Sequence, residues 1–227
     1  HGGDLDRAIS RFGGQRADWL DLSTGINPHA YPLPPLDNSL WTDLPDKNLQ
    51  QDVEAAAAAA YQTTRPCLAL AGAQQAIQLY PELFARYITG RRARVLHPSY
   101  NEHERQLLRQ NWQVERVCST DQLAGADLAV VVNPNNPDGR DSRPEQLFSL
   151  AEQVGVLVID ESFCDPLPHL SVCPHLTAQH DNILVLRSFG KFYGLAGLRL
   201  GFMVGAQSHL DDLAEMMGSW AVSGPAL

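Results

Sequence analysis

The sequence has few cysteines, few basic residues and no long apolar run. Its 227 residues include four cysteines, and no two of them have the Cys-x-x-Cys spacing of a redox or zinc motif. Acidic residues outnumber lysine and arginine by 26 to 17, which gives a net charge of −9. This acidic excess argues against a nucleic acid or an anionic membrane as a partner. The cysteine pattern predicts neither a disulfide framework nor a metal site, so we expect a reducing, cytoplasmic compartment.

No apolar run approaches the ~20 residues that a membrane-spanning helix needs. The run Ala55–Ala60 is short and lies within a helical pattern. The sequence also has no signal peptide, begins at His1 rather than at a methionine, and stops at Leu227 soon after a Gly-Pro pair. We therefore expect a globular protein without a membrane partner, and we expect both of its ends to be cut.

Short apolar runs alternate with helical segments along most of the chain. The runs have the length and β-branched content of buried strands, and helical segments of ~10–15 residues separate them. This alternation predicts an α/β fold, a three-layer sandwich around a mostly parallel central sheet. Residues 1–47 are rich in Gly, Pro and Asp and are expected to form an arm with little regular structure. We predict a large domain over 48–220 and a small, largely missing domain that begins at 221–227.

Polar side chains follow several of the predicted strands, at the sheet edge where ligands of such folds bind. Asn133 and Asp160 each come directly after an apolar run, and Ser188 and Lys191 follow a third run closely. A buried Asp160 would need a cation or a donor as partner, although it could also cap the next turn. A lysine among aromatic residues can lose its charge by desolvation and form a Schiff base, although a lone lysine is more often an ordinary surface residue.

A phosphate site is indicated by a turn and by two side chains. Gly72, Ala73 and Gln74 lead from an apolar run into a helix, whose first N–H groups and positive dipole can hold a phosphate. Ser188 and Arg199 would add a hydroxyl and a bidentate guanidinium. An amine, a buried acid, an amide donor and a phosphate cradle are together what one cofactor, pyridoxal 5′-phosphate, requires.

Three segments of the chain resemble the aspartate-aminotransferase superfamily of fold type I pyridoxal-phosphate enzymes. They are NPNNPDG, VIDES and SFGKFYGLAGLRLGF. The resemblance extends over essentially the whole chain and is closest to the histidinol-phosphate aminotransferase branch. Two further segments, HGGDLDRA and DWLDLSTGINPHAYP, are similar to the threonine-phosphate decarboxylases of cobalamin biosynthesis, a branch that keeps the fold and changes the reaction.

This resemblance implies a role for each candidate residue. Lys191 would form the Schiff base with the cofactor, Asp160 would pair with the pyridine nitrogen, and Asn133 would donate to the ring oxygen. Tyr100 would stack on the face of the ring. The other implied contacts are Gly72, Ala73, Gln74, Ser188 and Arg199 for the cofactor phosphate, and His1, Gly25 and Asn27 for a small phosphorylated amino-acid substrate.

The chain departs from the family pattern at one position near the predicted site. Phe163 stands where many relatives have a tyrosine that hydrogen-bonds the ring oxygen. The resemblance implies a homodimer that decarboxylates L-threonine O-3-phosphate to (R)-1-amino-2-propanol O-2-phosphate. Two alternatives stay open: an aminotransferase of the histidinol-phosphate type, and a truncated, non-catalytic cofactor-binding domain.

Overall fold

A seven-stranded sheet forms the centre of the computed structural model, which describes residues 2–227. The strands are β1 Cys67–Leu70, β2 Arg92–Leu96, β3 Gln113–Val117, β4 Leu128–Val132, β5 Val156–Asp160, β6 Ile183–Ser188 and β7 Gly201–Val204. Their order across the sheet is β1-β7-β6-β5-β4-β2-β3. β7 is antiparallel to β1 and β6, and the other neighbouring pairs are parallel. The prediction of an α/β fold with a mostly parallel sheet is confirmed.

Helices cover both faces of this sheet. The described residues form the helices α1 Leu5–Phe12, α2 Ser39–Thr42, α3 Lys47–Ala60, α4 Ala73–Tyr87, α5 Glu102–Arg109, α6 Pro144–Ala151, α7 Phe189–Phe192 and α8 Gln207–Met217. Apolar side chains of α4, α5 and α8 pack on one face, and those of α3 and α6 pack on the other. The molecule therefore has the three predicted layers.

Alternating side chains of the central strands divide the core between the two faces. In β5, Val156 and Val158 pack against the layer of α4, α5 and α8, whereas Leu157 and Ile159 pack against the layer of α3 and α6. Successive side chains in a strand point to opposite faces, so a strand buried on both faces is a continuous apolar run. The same alternation sets the direction of each polar residue that follows a strand.

A buried ion network joins the end of β5 to the end of β6. Glu161 is fully buried, and its carboxylate accepts hydrogen bonds from Arg187 Nη1 at 2.7 Å and from the Ser171 hydroxyl at 2.6 Å. Arg187 also donates to Asp165 at 2.6 Å and lies over the ring of Tyr61, 4.3 Å from its centroid. Because both charges have hydrogen-bonded partners, the penalty of burying them is offset. The network fixes the loop after β5 to the last residues of the neighbouring strand, β6.

The arm has more regular structure than the prediction for residues 1–47 allows. α1 begins after Asp4, whose carboxylate accepts a hydrogen bond from the N–H of Arg7 at 3.1 Å. A side-chain cap of this kind satisfies one of the N–H groups that a helix start leaves without a partner. No residue of α1 is buried, so apolar periodicity gives little warning of it. The prediction of little regular structure is wrong for this helix.

The last residues of the chain pack on the main body of the protein. Val222 and Ala226 are buried in the apolar cluster beneath α3 and α6. The backbone of Gly224 lies close to that of Leu40, near enough that an added Cβ would be 2.4 Å from the Leu40 carbonyl oxygen. The division into an arm, a large domain over 48–220 and a small domain from 221 onward stays a prediction.

Three structural features relate to the expected compartment and partners: the length of the apolar helices, the state of the cysteines and the grouping of possible metal ligands. Within residues 2–227, no helix is both long and apolar enough to cross a membrane. All four cysteines are free thiols, and burial raises the pKa of Cys67 to about 12. Such a thiol stays protonated and unreactive at neutral pH. In the described part of the chain, no group of three or more His, Cys, Asp or Glu side chains is placed to hold a metal ion.

Replacing Arg187 by methionine should strongly destabilise the fold. The substitution leaves the Glu161 carboxylate buried without its cation, and we expect a loss of about 3–5 kcal/mol in the free energy of unfolding. Urea denaturation followed by far-ultraviolet circular dichroism measures it. Arg86→Met is the matched control, because its pair with Glu82 is exposed and should contribute less than about 1 kcal/mol. Equal losses for the two variants would contradict a structural role for the buried network.

Candidate active site

A cavity of about 560 Å³ lies at the carboxyl ends of the central strands. Val132 at the end of β4, Asp160 at the end of β5 and Ser188 at the end of β6 all line it. The start of α4 and part of the arm complete its wall. This is the edge of a parallel sheet at which ligands bind in open α/β folds.

Most of the predicted site residues meet in this cavity. The predicted residues in its wall are Gly25, Gly72, Ala73, Gln74, Tyr100, Asp160, Ser188, Lys191 and Arg199. His1 lies outside the described residues. The two predicted residues that the structure does not place in the wall are Asn133 and Asn27.

The structure does not bring Asn133 into the cavity wall, so its placement does not support the predicted contact with the cofactor ring. Its side chain is fully buried, donates to the carbonyl groups of Ser142 and Leu170 at 3.0 and 3.3 Å, and accepts from the Ser142 N–H at 2.8 Å. The physical reason is strand alternation: Val132 faces the cavity, so the next side chain faces the opposite layer. The side-chain amide of Asn133 thus holds the loop that follows it, through Ser142, to the segment after β5, through Leu170. Asn136, from the same NPNNP segment, lines the cavity instead.

Asn27 joins the arm to α7, the short helix that contains the predicted lysine. Its side-chain amide donates to the carbonyl of Phe192 at 2.8 Å, and its backbone N–H donates to the carbonyl of Lys191 at 3.0 Å. Its Oδ1 accepts from the N–H of His29 at 2.9 Å. These bonds hold the side chain outside the cavity wall, so its placement does not support the predicted substrate contact. Gly25 does line the cavity, where the arm passes its mouth.

Asp160 is an ionised carboxylate in a buried position. It is 2% exposed, and its two oxygens accept hydrogen bonds from His103 Nε2 and from the N–H of Ser162, each at 2.9 Å. Burial alone would raise the pKa of this carboxyl, but the hydrogen bonds from His103 and Ser162 outweigh burial and hold the pKa below its usual value. Asp160 thus offers a negative charge at the cavity wall.

His103 is a site residue that no local sequence pattern indicates. It is 57 residues away from Asp160 along the chain. The hydroxyl of Tyr80 lies 3.1 Å from His103 Nδ1, the ring nitrogen that does not face Asp160. Tyr80 and His103 are both buried, so the histidine ring is held from both sides. The arrangement fixes the position of the carboxylate and keeps water from its far side.

Lys191 lies in α7, directly beyond the end of β6. Burial lowers the pKa of its amine, Asp160 opposes this effect, and the positive charge of Arg199 adds to it. A lowered pKa increases the fraction of neutral amine, which is the form that attacks an aldehyde. Nζ lies 5.6 Å from the centroid of the Phe163 ring. The amine therefore lies near one apolar ring and within the electrostatic influence of the Asp160 carboxylate.

The turn into α4 forms a phosphate cradle. Gly72 precedes the helix with φ of +81°, and an added Cβ would lie 2.6 Å from Arg199 Nη2. The glycine therefore lets the guanidinium approach the helix N-terminus, where the first N–H groups have no partner within the helix. Arg199 itself has φ of +58°, an uncommon conformation for a residue with a side chain. Together with the Ser188 hydroxyl, these groups fit a phosphate dianion.

The cavity fits pyridoxal 5′-phosphate as a whole. Lys191 offers an amine, Asp160 a buried negative charge for a protonated ring nitrogen, and the turn at Gly72 a place where a phosphate can approach closely. Asn136 replaces Asn133 as the candidate donor to the ring oxygen. Tyr100 lines the cavity beside these groups, as expected for a ring platform.

A family model described as aminotransferase class I and II matches residues 18–227. The chain is 45% identical over its whole length to a threonine-phosphate decarboxylase from Sinorhizobium sp, of which the match covers 69%. It is 42% identical over 99% of its length to a threonine-phosphate decarboxylase from Pseudomonas aeruginosa, with 67% of that protein covered. It is 27% identical over 95% of its length to a histidinol-phosphate aminotransferase from Vibrio vulnificus. The chain spans about two thirds of the length of these relatives.

Solved structures with the same fold share less sequence with the chain. The histidinol-phosphate aminotransferase from Clostridium acetobutylicum superposes with a TM-score of 0.73 at 19% identity, over 90% of this chain and 66% of that one. The L-threonine-O-3-phosphate decarboxylase from Porphyromonas gingivalis gives 0.70 at 21% identity, over 90% and 65%. At such identities the structural likeness establishes the fold and does not distinguish between the two reactions.

Adding a methyl group to the cradle should weaken binding of pyridoxal phosphate. In Gly72→Ala the new Cβ displaces the Arg199 guanidinium, and the loss of a charge-assisted contact should lower cofactor affinity by at least about tenfold, measured by absorbance titration. Gly125→Ala is the matched control, because Gly125 has φ of +79° with no atom within 4 Å of an added Cβ. Both variants place a side chain at positive φ, and Gly72→Ala, with ψ of +155°, should lose about 1–3 kcal/mol of stability, so urea denaturation accompanies each titration. Equal cofactor affinity in both would contradict the cradle.

Proposed function

We propose a reaction for this chain on the premise that it belongs to the aminotransferase class I and II family, whose model matches residues 18–227. The chain is a pyridoxal-phosphate-dependent lyase that decarboxylates L-threonine O-3-phosphate to (R)-1-amino-2-propanol O-2-phosphate in cobalamin biosynthesis. One observation carries this proposal: identity is 45% and 42% to two threonine-phosphate decarboxylases but 27% to a histidinol-phosphate aminotransferase, each over nearly the whole chain.

The cofactor, when bound, supplies an aldehyde for the substrate amine and an electron-poor ring that accepts the electron pair of the bond broken at Cα. Lys191 Nζ would hold the cofactor through its aldehyde, and the same amine, once released by the substrate, would carry the proton for Cα. The Asp160 carboxylate would pair with the protonated ring nitrogen and favour its protonated form. His103 keeps Asp160 in place. The cofactor phosphate would be held by the first N–H groups of α4, by Ser188 and by Arg199.

Phe163 has no hydroxyl, so a different side chain must donate the hydrogen bond to the cofactor's ring oxygen. Its ring lies beside Lys191 and against the arm, where a Cβ on Gly25 would be 2.7 Å from Phe163 Cε1. The close approach of Gly25 and Phe163 keeps water from this side of the amine. We propose that Asn136, whose side chain borders the cavity, donates to the ring oxygen in place of the missing tyrosine hydroxyl.

The substrate portion of the cavity lies under the arm. Ser23, Thr24 and Gly25 line the mouth together with Gly2. Hydroxyl and backbone N–H groups are suitable partners for a second phosphate and for a carboxylate. We propose that this segment of the arm binds the phosphorylated substrate, with the roles of His1 and Gly25 following the family resemblance.

The two alternatives to a decarboxylase, an aminotransferase and a non-catalytic domain, would use the same cavity differently. An aminotransferase of the histidinol-phosphate type would break the Cα–H bond and pass the amine to a keto acid, but the lower identity to those enzymes favours decarboxylation. A non-catalytic cofactor-binding domain would need no reactive amine. The lowered pKa of Lys191 favours a reactive site over a passive one.

Incubation with threonine phosphate and pyridoxal phosphate should release CO2 without any added keto acid. The chain contains two lysines, Lys47 and Lys191, so the anchoring amine can be tested cleanly. Lys191→Ala should abolish both CO2 release and the visible absorbance of the bound cofactor, because no amine is left to hold the aldehyde. Lys47→Ala should keep both. Amino transfer that depends on a keto acid, without release of CO2, would refute the decarboxylation.

We also propose that the chain is a cytoplasmic homodimer in which the arm packs on the partner. Several large apolar side chains of the arm are more than half exposed. They are Phe12, Leu20, Leu22, Tyr31, Leu33, Trp41 and Leu44. An exposed apolar surface of this extent is typical of an interaction site. The four free thiols suit a reducing compartment.

Multi-angle light scattering should give a mass of twice the 25.0 kDa of the chain. Leu20→Ser combined with Trp41→Ser should shift the protein toward the monomer, because both substitutions remove apolar surface from the proposed interface. Leu108→Ser is the control, since Leu108 is 53% exposed but lies on α5, outside the arm. A wild-type monomer at micromolar concentration would argue against the dimer.

A further inference from the structure

A carboxylate lies in the wall of the cavity and has no part in the proposed reaction. Glu102, the first residue of α5, is 4% exposed and lines the cavity. Its carboxylate accepts hydrogen bonds from Gln74 Nε2, Gln106 Nε2 and Arg105 Nη1, each at 3.2 Å. A negative charge in a cavity for anionic ligands would hinder their binding if it met them directly. Its contacts with neighbouring side chains therefore indicate what it does.

Gln74 connects this carboxylate to the ring of Tyr100. The Tyr100 hydroxyl donates to Gln74 Oε1 at 3.3 Å, while Gln74 Nε2 faces Glu102. An ionised carboxylate can only accept hydrogen bonds, so Glu102 selects the NH₂ end of the Gln74 amide. The carbonyl end must then face Tyr100, and the phenol must act as the donor. The charge on Glu102 thus sets the direction of both bonds.

The surroundings of Tyr100 keep it in the form that these bonds need. Burial raises the pKa of the phenol, the charges of Glu102 and Asp160 raise it further, and Arg199 opposes them. The hydroxyl is therefore protonated at neutral pH and available as a donor. The Tyr100 ring also meets the His103 ring edge to face, with 6.1 Å between centroids and 83° between planes. The hydroxyl bond and this ring contact hold two different parts of the tyrosine.

We propose that Glu102 is a positioning residue for the cofactor ring, which it serves by orienting the amide of Gln74 and thereby the ring of Tyr100. This inference rests on the cofactor site of the proposed function, but it does not depend on the substrate. Gln74 belongs to two parts of the site, because its backbone lies in the first turn of α4 and so in the phosphate cradle. The series Glu102–Gln74–Tyr100 therefore couples the cofactor's phosphate end to its ring face.

Glu102→Gln tests the proposal with the smallest change to the shape of the side chain. The variant keeps the size of the side chain but can present either end of its amide, so it no longer dictates the orientation of Gln74. We expect a loss of circular dichroism in the visible band of the bound cofactor, which reports the fixed orientation of the ring and needs no turnover. Cofactor affinity should fall by about threefold to tenfold, as for the loss of one hydrogen bond.

A second substitution separates positioning from simple packing. Tyr100→Phe removes the hydroxyl at the end of the series and should cause a similar loss of the visible dichroism. If Glu102 acts through Tyr100, then adding Glu102→Gln to Tyr100→Phe changes the dichroism no further. If Glu102 merely packs α5 against α4, its effect persists in full in the Tyr100→Phe background, and the proposal is overturned. An unchanged spectrum in Glu102→Gln alone also overturns it.

A neighbouring acid on the same helix provides the control. Glu104 lies on α5 and pairs with Arg116 at 3.0 Å, away from the cavity at the strand ends. Glu104→Gln removes one charge from the helix and should leave the visible dichroism unchanged. Urea denaturation of each variant checks that the fold is intact. A loss in Glu104→Gln as large as that in Glu102→Gln would assign the effect to helix charge and overturn the proposal.

Failure of the proposed function gives a different result from failure of this inference. A wild-type protein that binds pyridoxal phosphate but releases no CO2 refutes the reaction, and the dichroism of the variants still decides the role of Glu102. A wild-type protein with no visible cofactor band refutes the cofactor site and this inference with it.

Discussion

An ionised carboxylate buried at the end of a central strand is the constraint on which the site depends. Asp160 can stay charged there because His103 and Ser162 donate to it, and the unfavourable burial is thereby compensated. The next residue, Glu161, points to the opposite layer and needs a partner of its own, Arg187. Two consecutive acids thus require two separate networks, one on each face of the sheet. The first network keeps the Asp160 carboxylate charged and in place at the cavity. The second holds the end of the strand that carries it.

Strand alternation and two uncommon backbone conformations complete the arrangement. Gly72 and Arg199 both have positive φ. Because Gly72 has no side chain, the Arg199 guanidinium can lie at the N-terminus of α4. Strain of this kind persists where the surrounding structure over-determines it. The cradle lies where β7 turns back against the parallel strands, and α4 starts from the strand paired with β7. The sheet topology therefore positions the groups proposed to hold the phosphate, and the proposed ring contacts come from Asp160 at the end of β5 and from Tyr100 just before α5.

Particular residues show where sequence patterns succeed and where they fail. The continuous apolar runs identify the central strands correctly, because strands buried on both faces must be apolar throughout. The same runs mislead at Asn133. Asp160 is the last residue of its strand and faces the cavity, whereas Asn133 comes one position after the end of its strand and faces the opposite layer. Counting alternate residues from Val132 would have placed Asn133 on the face away from the cavity. The surface helix α1 has no buried side chain, so its only sequence signal is the cap at Asp4.

The sequence by itself determined the fold class and the cofactor, because each needed group is carried by a residue type of distinct chemistry at a strand end: Lys191 as amine, Asp160 as acid, and Gly72 as the opening of the cradle. Only the tertiary structure decided which asparagine borders the cavity and which side chains hold the carboxylate and the ring platform. The bonds from His103 to Asp160 and from Gln74 to Glu102 join residues 57 and 28 positions apart. Contacts between positions so far apart in the sequence form only when separate elements pack together, and no local pattern specifies them.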